Sequence, residues 1–351
     1  MRRLETCFIV LALIFYGWFV SHFGVSELLG YVRLAGWGLA LTISLESVSR
    51  IMNTLGWRAT IDDYPPDLSF IELFAARIGG EAVDYVTPSA QLGGQLVMAL
   101  TVRKKLRMPK GLASVAVAAL AEMIGQIAFI TIALMISLRL VPITSRLYWS
   151  TVVGFAIAVT LAALFFFVQK KRPFTHLINA AARIDLSRLK TGLLKDSAAE
   201  ADTELLHFYA TKKVRMALSC LCYLIAWAMG PVEIYILLRL LGHPGTAQIA
   251  LVVEAMGLLI ERATFMIPGK LVSQEGGKAL ILAMLGYAAG LGFVVGFLRR
   301  IKEMVWVLFG LVCLMVHRIV TERTPDTRQV SAPEFKGQVV EIQRAQGEHS
   351  I

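Results

Sequence analysis

Arg77, Glu81 and Asp84 stand at i, i+4 and i+7, which puts a cation and two acids on one face of a helix. They lie in the run "RIGGEAVDYVTPSAQLGGQ", where two glycine pairs and Pro88 interrupt an otherwise apolar chain. A second polar run follows far downstream. It holds Glu254 and Glu261, seven residues apart, then Arg262, Lys270, Gln274, Glu275 and Lys278. Such residues can grip a charged headgroup, relay protons, or work as an acid and base pair. The flanking apolar stretches add Glu46, Arg50, Glu122, Gln126, Glu233, Arg299, Arg300 and Glu303.

The surroundings decide which chemistry is affordable. The chain has 351 residues, of which 56% are hydrophobic and only 17% charged, a balance that excludes an ordinary soluble domain. A crossing needs roughly 20 apolar residues. Stretches near 5–23, 35–57, 111–138, 149–168, 215–240 and 287–317 meet that need. A charge near the bilayer centre costs several kcal/mol, about 3 or more, unless paired or hydrated, so these polar residues must face protein or a wet cavity.

Arg and Lys cluster at the N-terminus, at 103–110 and at 169–215, which places these segments and 58–69 in the cytoplasm. Residues 70–102 then leave and re-enter the same side. They are too few for two crossings and are expected to form a re-entrant pair of half-helices broken near Pro88. Gly79 and Gly80 would allow close helix approach, and Gly93 and Gly94 would let backbone approach a ligand or another helix. A half-helix starting after Pro88 would aim free N–H groups inward, suiting an anionic head.

The second half echoes the first. "LGW" at 55–57 answers "LGH" at 241–243, "TPSAQLGGQ" at 87–95 answers "IPGKLVSQEGGK" at 267–278, and "GLASVAVAALAEM" at 111–123 answers "GLGFVVGFLRRIKEM" at 290–304. The expected fold is therefore an all-α polytopic membrane protein. It has about six full transmembrane helices, two re-entrant broken-helix hairpins and two inverted-repeat halves, 35–138 and 215–317. One membrane domain spans 1–320, with a cytoplasmic connector at 169–215 and a disordered tail at 321–351. The segment "HLINAAARIDLSRLKTGLL" reads as an interfacial amphipathic helix or a packed linker. Arg299 and Arg300 fall inside the last span if the halves are inverted, and in a cytoplasmic turn if they are not.

Other signals are weak. The four cysteines lie in apolar runs and the histidines are scattered, with no metal-ligand spacing. There is no P-loop, GxGxxG, GxSxG or HExxH, so no cofactor is expected. The net charge of +10 sits at the ends of apolar spans and does not indicate nucleic acid.

The arginine before the first TP, the first glycine pair and the PG…QEGG element resemble the flippase-like membrane protein family, across about residues 5–320. That family includes the transmembrane region of lysylphosphatidylglycerol synthases, and the chain looks most like the branch associated with hopanoid biosynthesis. The resemblance marks Arg77, Gly80, Glu81, Thr87, Pro88, Gly93, Gly94, Pro268, Gly269, Gln274, Glu275 and Gly276, and Gly277 completes the second glycine pair. Ser89, Ala90 and Val272 stand where glycines are common in relatives.

The resemblance implies movement of a lipid, a hopanoid or a phospholipid, between leaflets of a bacterial inner membrane, with both termini cytoplasmic. The expected headgroup site is Arg77, Glu81, Asp84, Arg262, Lys270, Gln274, Glu275 and Lys278, with the prolines and glycines shaping the breaks. Synthase activity is not implied. An intramembrane lipid-modifying enzyme using Glu81 and Asp84 as acid and base is one alternative. A scaffold for lipid-synthesis enzymes docking at the cytoplasmic face is another.

Overall fold

The computed structural model describes residues 30, 33, 36–87, 92–140, 145–176, 179, 191–263 and 273–323. The first predicted span at 5–23, most of the segment 176–194 and the tail from 324 lie outside the described residues. The described residues are mostly helical, joined by short turns, with no strand among them. The helices are α1 (Trp37–Thr60), α2 (Phe70–Val86), α3 (Leu92–Val102), α4 (Met108–Leu140) and α5 (Ser145–Lys170). They continue with α6 (Thr191–Thr211), α7 (Lys213–Leu240), α8 (Ala247–Ala263), α9 (Ser273–Met284) and α10 (Ala289–Arg323). By internal packing the chain divides after Leu314, and the packing described below is that of the first unit.

Three described helices are long and apolar enough to cross a membrane: Met108–Ile136, Val152–Lys170 and Lys213–Leu240. The predicted spans at 35–57 and 287–317 also form single helices, α1 and α10, but their ionic residues make them less apolar. Helix α5 shows why such a chain needs lipid. Val153, Ile157, Leu164 and Phe167 are at least half exposed, and Ala162 is the one hydrophobic side chain buried among its described residues. Water would oppose that much apolar exposure.

The pieces recur in order. α1, α2, α3 and α4 are followed after α5 and α6 by α7, α8, α9 and α10, and α2 and α8 are both 17 residues long. α1 and α7 pack together antiparallel. Gly38 faces Leu240, Ser49 Oγ donates to the Ala226 carbonyl, and Ser219 Oγ donates to the Gly56 carbonyl. One of the sequence matches does not survive: Leu55–Trp57 lies inside α1, whereas 241–243 forms the turn after α7. Short Leu-Gly pairs recur too freely in apolar helices to fix a register.

Each series has an apolar core completed by the other's first helix: Trp57, Leu73, Met98 and Val115 pack with Tyr223 of α7, and Ile234, Val253, Leu282 and Val295 with Leu39 of α1. Phe129 and Ile130 of α4 join Leu258 and Leu259 of α8 between them.

α2 and α3 form an antiparallel hairpin, about 25 and 16 Å long, so α3 alone could not cross a hydrocarbon core about 30 Å thick. Its start is fixed by a capping box: Ser69 Oγ accepts the Glu72 N–H and Glu72 accepts the Ser69 N–H. Lys105 closes the neck, donating to the Asp67 carbonyl and pairing with Glu72 at 2.6 Å. Along the seam a Cβ on Gly94 would strike the Gly80 carbonyl and the Asp84 carboxylate. Glycine is required there by close backbone approach.

On the connector side, α6 lies on α4 through Ala113, Val117, Leu205 and Phe208. Buried Asp202 of α6 accepts the N–H groups of Phe174 and Thr175 and the Thr175 hydroxyl, tying α6 to the end of α5. This part of the connector is a packed element.

Candidate functional site

Between the two cores runs an unbroken sequence of ion pairs. Arg77 pairs with Glu122 at 2.9 Å and with Glu81 at 2.7 Å. Glu81 pairs in turn with Arg50, and Arg50 with Glu46 at 2.9 Å. Lys302 then carries the series across, reaching Glu46 at 2.8 Å and Glu233 at 2.7 Å. Arg299 lies 3.2 Å from Glu233 and grips Glu254 with both terminal nitrogens. The order Glu122–Arg77–Glu81–Arg50–Glu46–Lys302–Glu233–Arg299–Glu254 alternates in sign and draws on α4, α2, α1, α10, α7 and α8.

Local sequence explains the placement. Arg77 and Glu81, like Glu46 and Arg50, are one helical turn apart and so share a face. Gly80 and Gly79 beside Arg77 let α3 and α10 close on α2, which leaves Arg77 only 6% exposed. Aromatic rings finish its cage. Tyr223 receives an Arg77 N–H at 3.5 Å and lies 5.6 Å below the guanidinium, and Trp306 sits 5.8 Å from Arg50.

The two ends differ in accessibility. The side chains of Glu122 and Glu81 are 25% and 20% accessible, whereas those of Glu233 and Glu254 are each 4%. One end of the series is therefore partly accessible among the described residues and the other is enclosed. Its charges balance pairwise with one carboxylate over, and a buried pair of this kind is costly to break.

The other expected site residues fall beside this series or outside view. Asp84, grouped with the cation-holding acids, accepts the Gly94 N–H at 2.7 Å, so an N–H expected to face an anionic head is already taken by protein. Lys278, buried, lies 3.7 Å from Glu261, and Gln274 donates to Glu303 at 2.9 Å. Arg300 donates to the Tyr85 hydroxyl at 3.5 Å. Thr87 ends α2, its N–H and hydroxyl both on the Val83 carbonyl. Gly93 lies in the first turn of α3. Gly276 and Gly277 lie in α9, and a Cβ on Gly277 would make only ordinary contact with Ile260. Pro88, Pro268, Gly269 and Lys270 lie outside the described residues, as do the side chains of Arg262 and Glu275. The tips of both hairpins are thus not described.

Sequence reasoning did not single out Lys302, Tyr223 or Tyr85. Lys302 was hidden in the run Arg299–Glu303, which reads equally as a loop; the unbroken helix α10 removes the turn. Glu46 and Arg50 at helical spacing, and Glu233 alone in an apolar run, were the signals available. Nothing in the sequence indicates which acid meets which base.

Among the described residues no cluster of His, Cys, Asp and Glu could hold a metal ion. No curated protein and no solved structure matches the chain. The family model of the lysylphosphatidylglycerol synthase TM region does, over residues 7–311, which takes in every member of the ion-pair series. An apolar helical bundle with charges buried at its centre agrees with that match, and this multi-pass membrane protein belongs to the lysylphosphatidylglycerol synthase TM region family.

Proposed function

We propose that the protein passes a lipid headgroup between the leaflets of a bacterial inner membrane while the acyl or polycyclic tail stays in the bilayer. One observation carries this reading: a series of paired charges buried in an apolar bundle and partly accessible at one end. Structural staples alone would not need an accessible end. In this reading the two helix series are inverted repeats of one unit, and α2–α3 and α8–α9 are re-entrant hairpins. Six helices cross the membrane, counting the segment near 5–23, and both termini face the cytoplasm. The antiparallel packing of α1 on α7 supports the inversion.

The accessible end narrows the substrate. Its partly accessible carboxylates, Glu122, Glu81 and Glu46, outnumber its partly accessible guanidinium, Arg50. That balance suits a headgroup with a positive charge, or both signs, better than the plain anion expected from the helix termini. A phospholipid or a hopanoid derivative with an amine-bearing head fits; a hopanoid without charge does not use the site.

The test is leaflet accessibility of fluorescent phospholipids and amine-bearing hopanoids in proteoliposomes. Exchange that needs the protein and falls at least about tenfold in Arg77→Ala is expected. Folded protein that exchanges none of these lipids would overturn the proposal, and exchange unaffected by Arg77→Ala would remove the series from the path.

A further inference from the structure

The ion-pair series passes from one half of the molecule to the other through a single side chain. Lys302 places one ammonium between Glu46 of α1 and Glu233 of α7, at 2.8 and 2.7 Å, and is only 2% exposed. α1 and α7 are the matching first helices of the two series and cross antiparallel, Gly38 against Leu240 and Gly56 against Ser219. Glu46 and Glu233 lie in the middle part of that crossing, where each series meets its own counterpart.

The bridge has no twin. α10 and α4 are matching helices, and "KEM" at 302–304 answers "AEM" at 121–123, at the same distance from each helix start. Ala121 therefore occupies the position in α4 that Lys302 holds in α10, and Ala121 is fully buried among apolar neighbours. Without Lys302 the series falls into two pieces, Glu122–Arg77–Glu81–Arg50–Glu46 and Glu233–Arg299–Glu254. Each piece then carries one carboxylate more than its cations, and like charges at their facing ends repel.

We infer that Lys302 is a one-sided latch, joining Glu46 to Glu233 so that the half-two carboxylates are held shut while the half-one carboxylates stay open. The accessibilities follow this division: 18% at Glu46 on the open side and 4% at Glu233 on the closed side. Two matching halves without such a difference would favour neither arrangement. A latch on one half biases the pair by its differential contacts alone. An ammonium suits the task, because a compact charge on a flexible stem keeps neither carboxylate in a fixed fork.

The inference takes its two halves from the proposed function, but its test measures no lipid. Backbone hydrogen exchange of the full chain in nanodiscs is compared between wild type and Lys302→Met. Exchange at least about tenfold faster in the centre of α8 and α7, with α6 and its α4 contacts unchanged, is expected. Equal acceleration everywhere, or none, would overturn the latch. If Lys302→Met does not fold, Glu233→Gln with Lys302→Met removes one acid together with the base, and the same local acceleration is expected. Local opening beside a wild type that exchanges no lipid would refute the transport reading and keep the latch. Lipid exchange without local opening would do the reverse.

Discussion

The two halves of this molecule use the same parts to opposite ends. In the first, Arg77 sits between Glu81 and Glu122, with its acids one-fifth to one-quarter accessible. In the second, Arg299 sits between Glu233 and Glu254 with both acids almost fully enclosed. The glycines differ likewise. Gly94 is forced by backbone contact with Gly80, whereas Gly277 meets only the Ile260 side chain at van der Waals distance. The difference teaches that two helix series of similar order can hold their charges at different depths, and burial decides which of them water can reach.

The comparison can be broken most forcefully at Arg299. Arg299→Ala strands two enclosed carboxylates, and losing one member of a buried pair costs about 3–5 kcal/mol. The largest fall in thermal stability in detergent is expected there. Arg77→Ala strands acids that water can reach, so about 1–3 kcal/mol is expected, together with loss of lipid exchange. Equal falls for the two variants would erase the distinction between an open and a closed end.

The glycines sharpen the same contrast. Gly94→Ala drives a methyl into the Gly80 carbonyl and the Asp84 carboxylate, an overpacking worth about 1–3 kcal/mol. Gly277→Ala meets Ile260 at 3.4 Å and should change stability by less than about 0.5 kcal/mol. Melting curves of the two single variants decide it.

The smallest effect lies at the hairpin neck, outside the spans. Burial works to raise the Glu72 pKa, but Lys105 and Ser69 outweigh it and hold the carboxyl below its ordinary 4.5. A lowered folded-state pKa means the stabilisation is complete above 4.5 and is lost as pH falls through the folded value. Lys105→Ala should remove most of that acid-side loss, a few tenths of a kcal/mol at most for so accessible a pair, read as protection of the first turn of α2.

Much of the frame was legible in the sequence because apolar length and Gly-Pro punctuation are local signals. The break after Thr87, the glycine seam and the helices on either side follow from spacing alone. Pairing did not follow, because Arg77 reaches Glu122 and Lys302 reaches Glu46 across long stretches of chain. Asp84 shows the limit well. Its position beside Glu81 suggests a cation holder, and the fold also brings the Gly94 N–H to it, a contact that spacing alone did not indicate. Lys302 shows the opposite case, where a residue that read as one of several basic residues in a possible loop proves to join both halves.

The closed neck of α2–α3 has a consequence for biosynthesis. Lys105 fastens the end of the hairpin to Glu72 and Asp67 at its beginning, and Gly94 zips onto Gly80, before any residue of α4 is needed. All of these contacts lie within the hairpin itself, so its own closure does not have to await the synthesis of α4. Its Arg77, however, has no Glu122 until α4 is made. The guanidinium therefore gains its second acid only once α4 packs against α2.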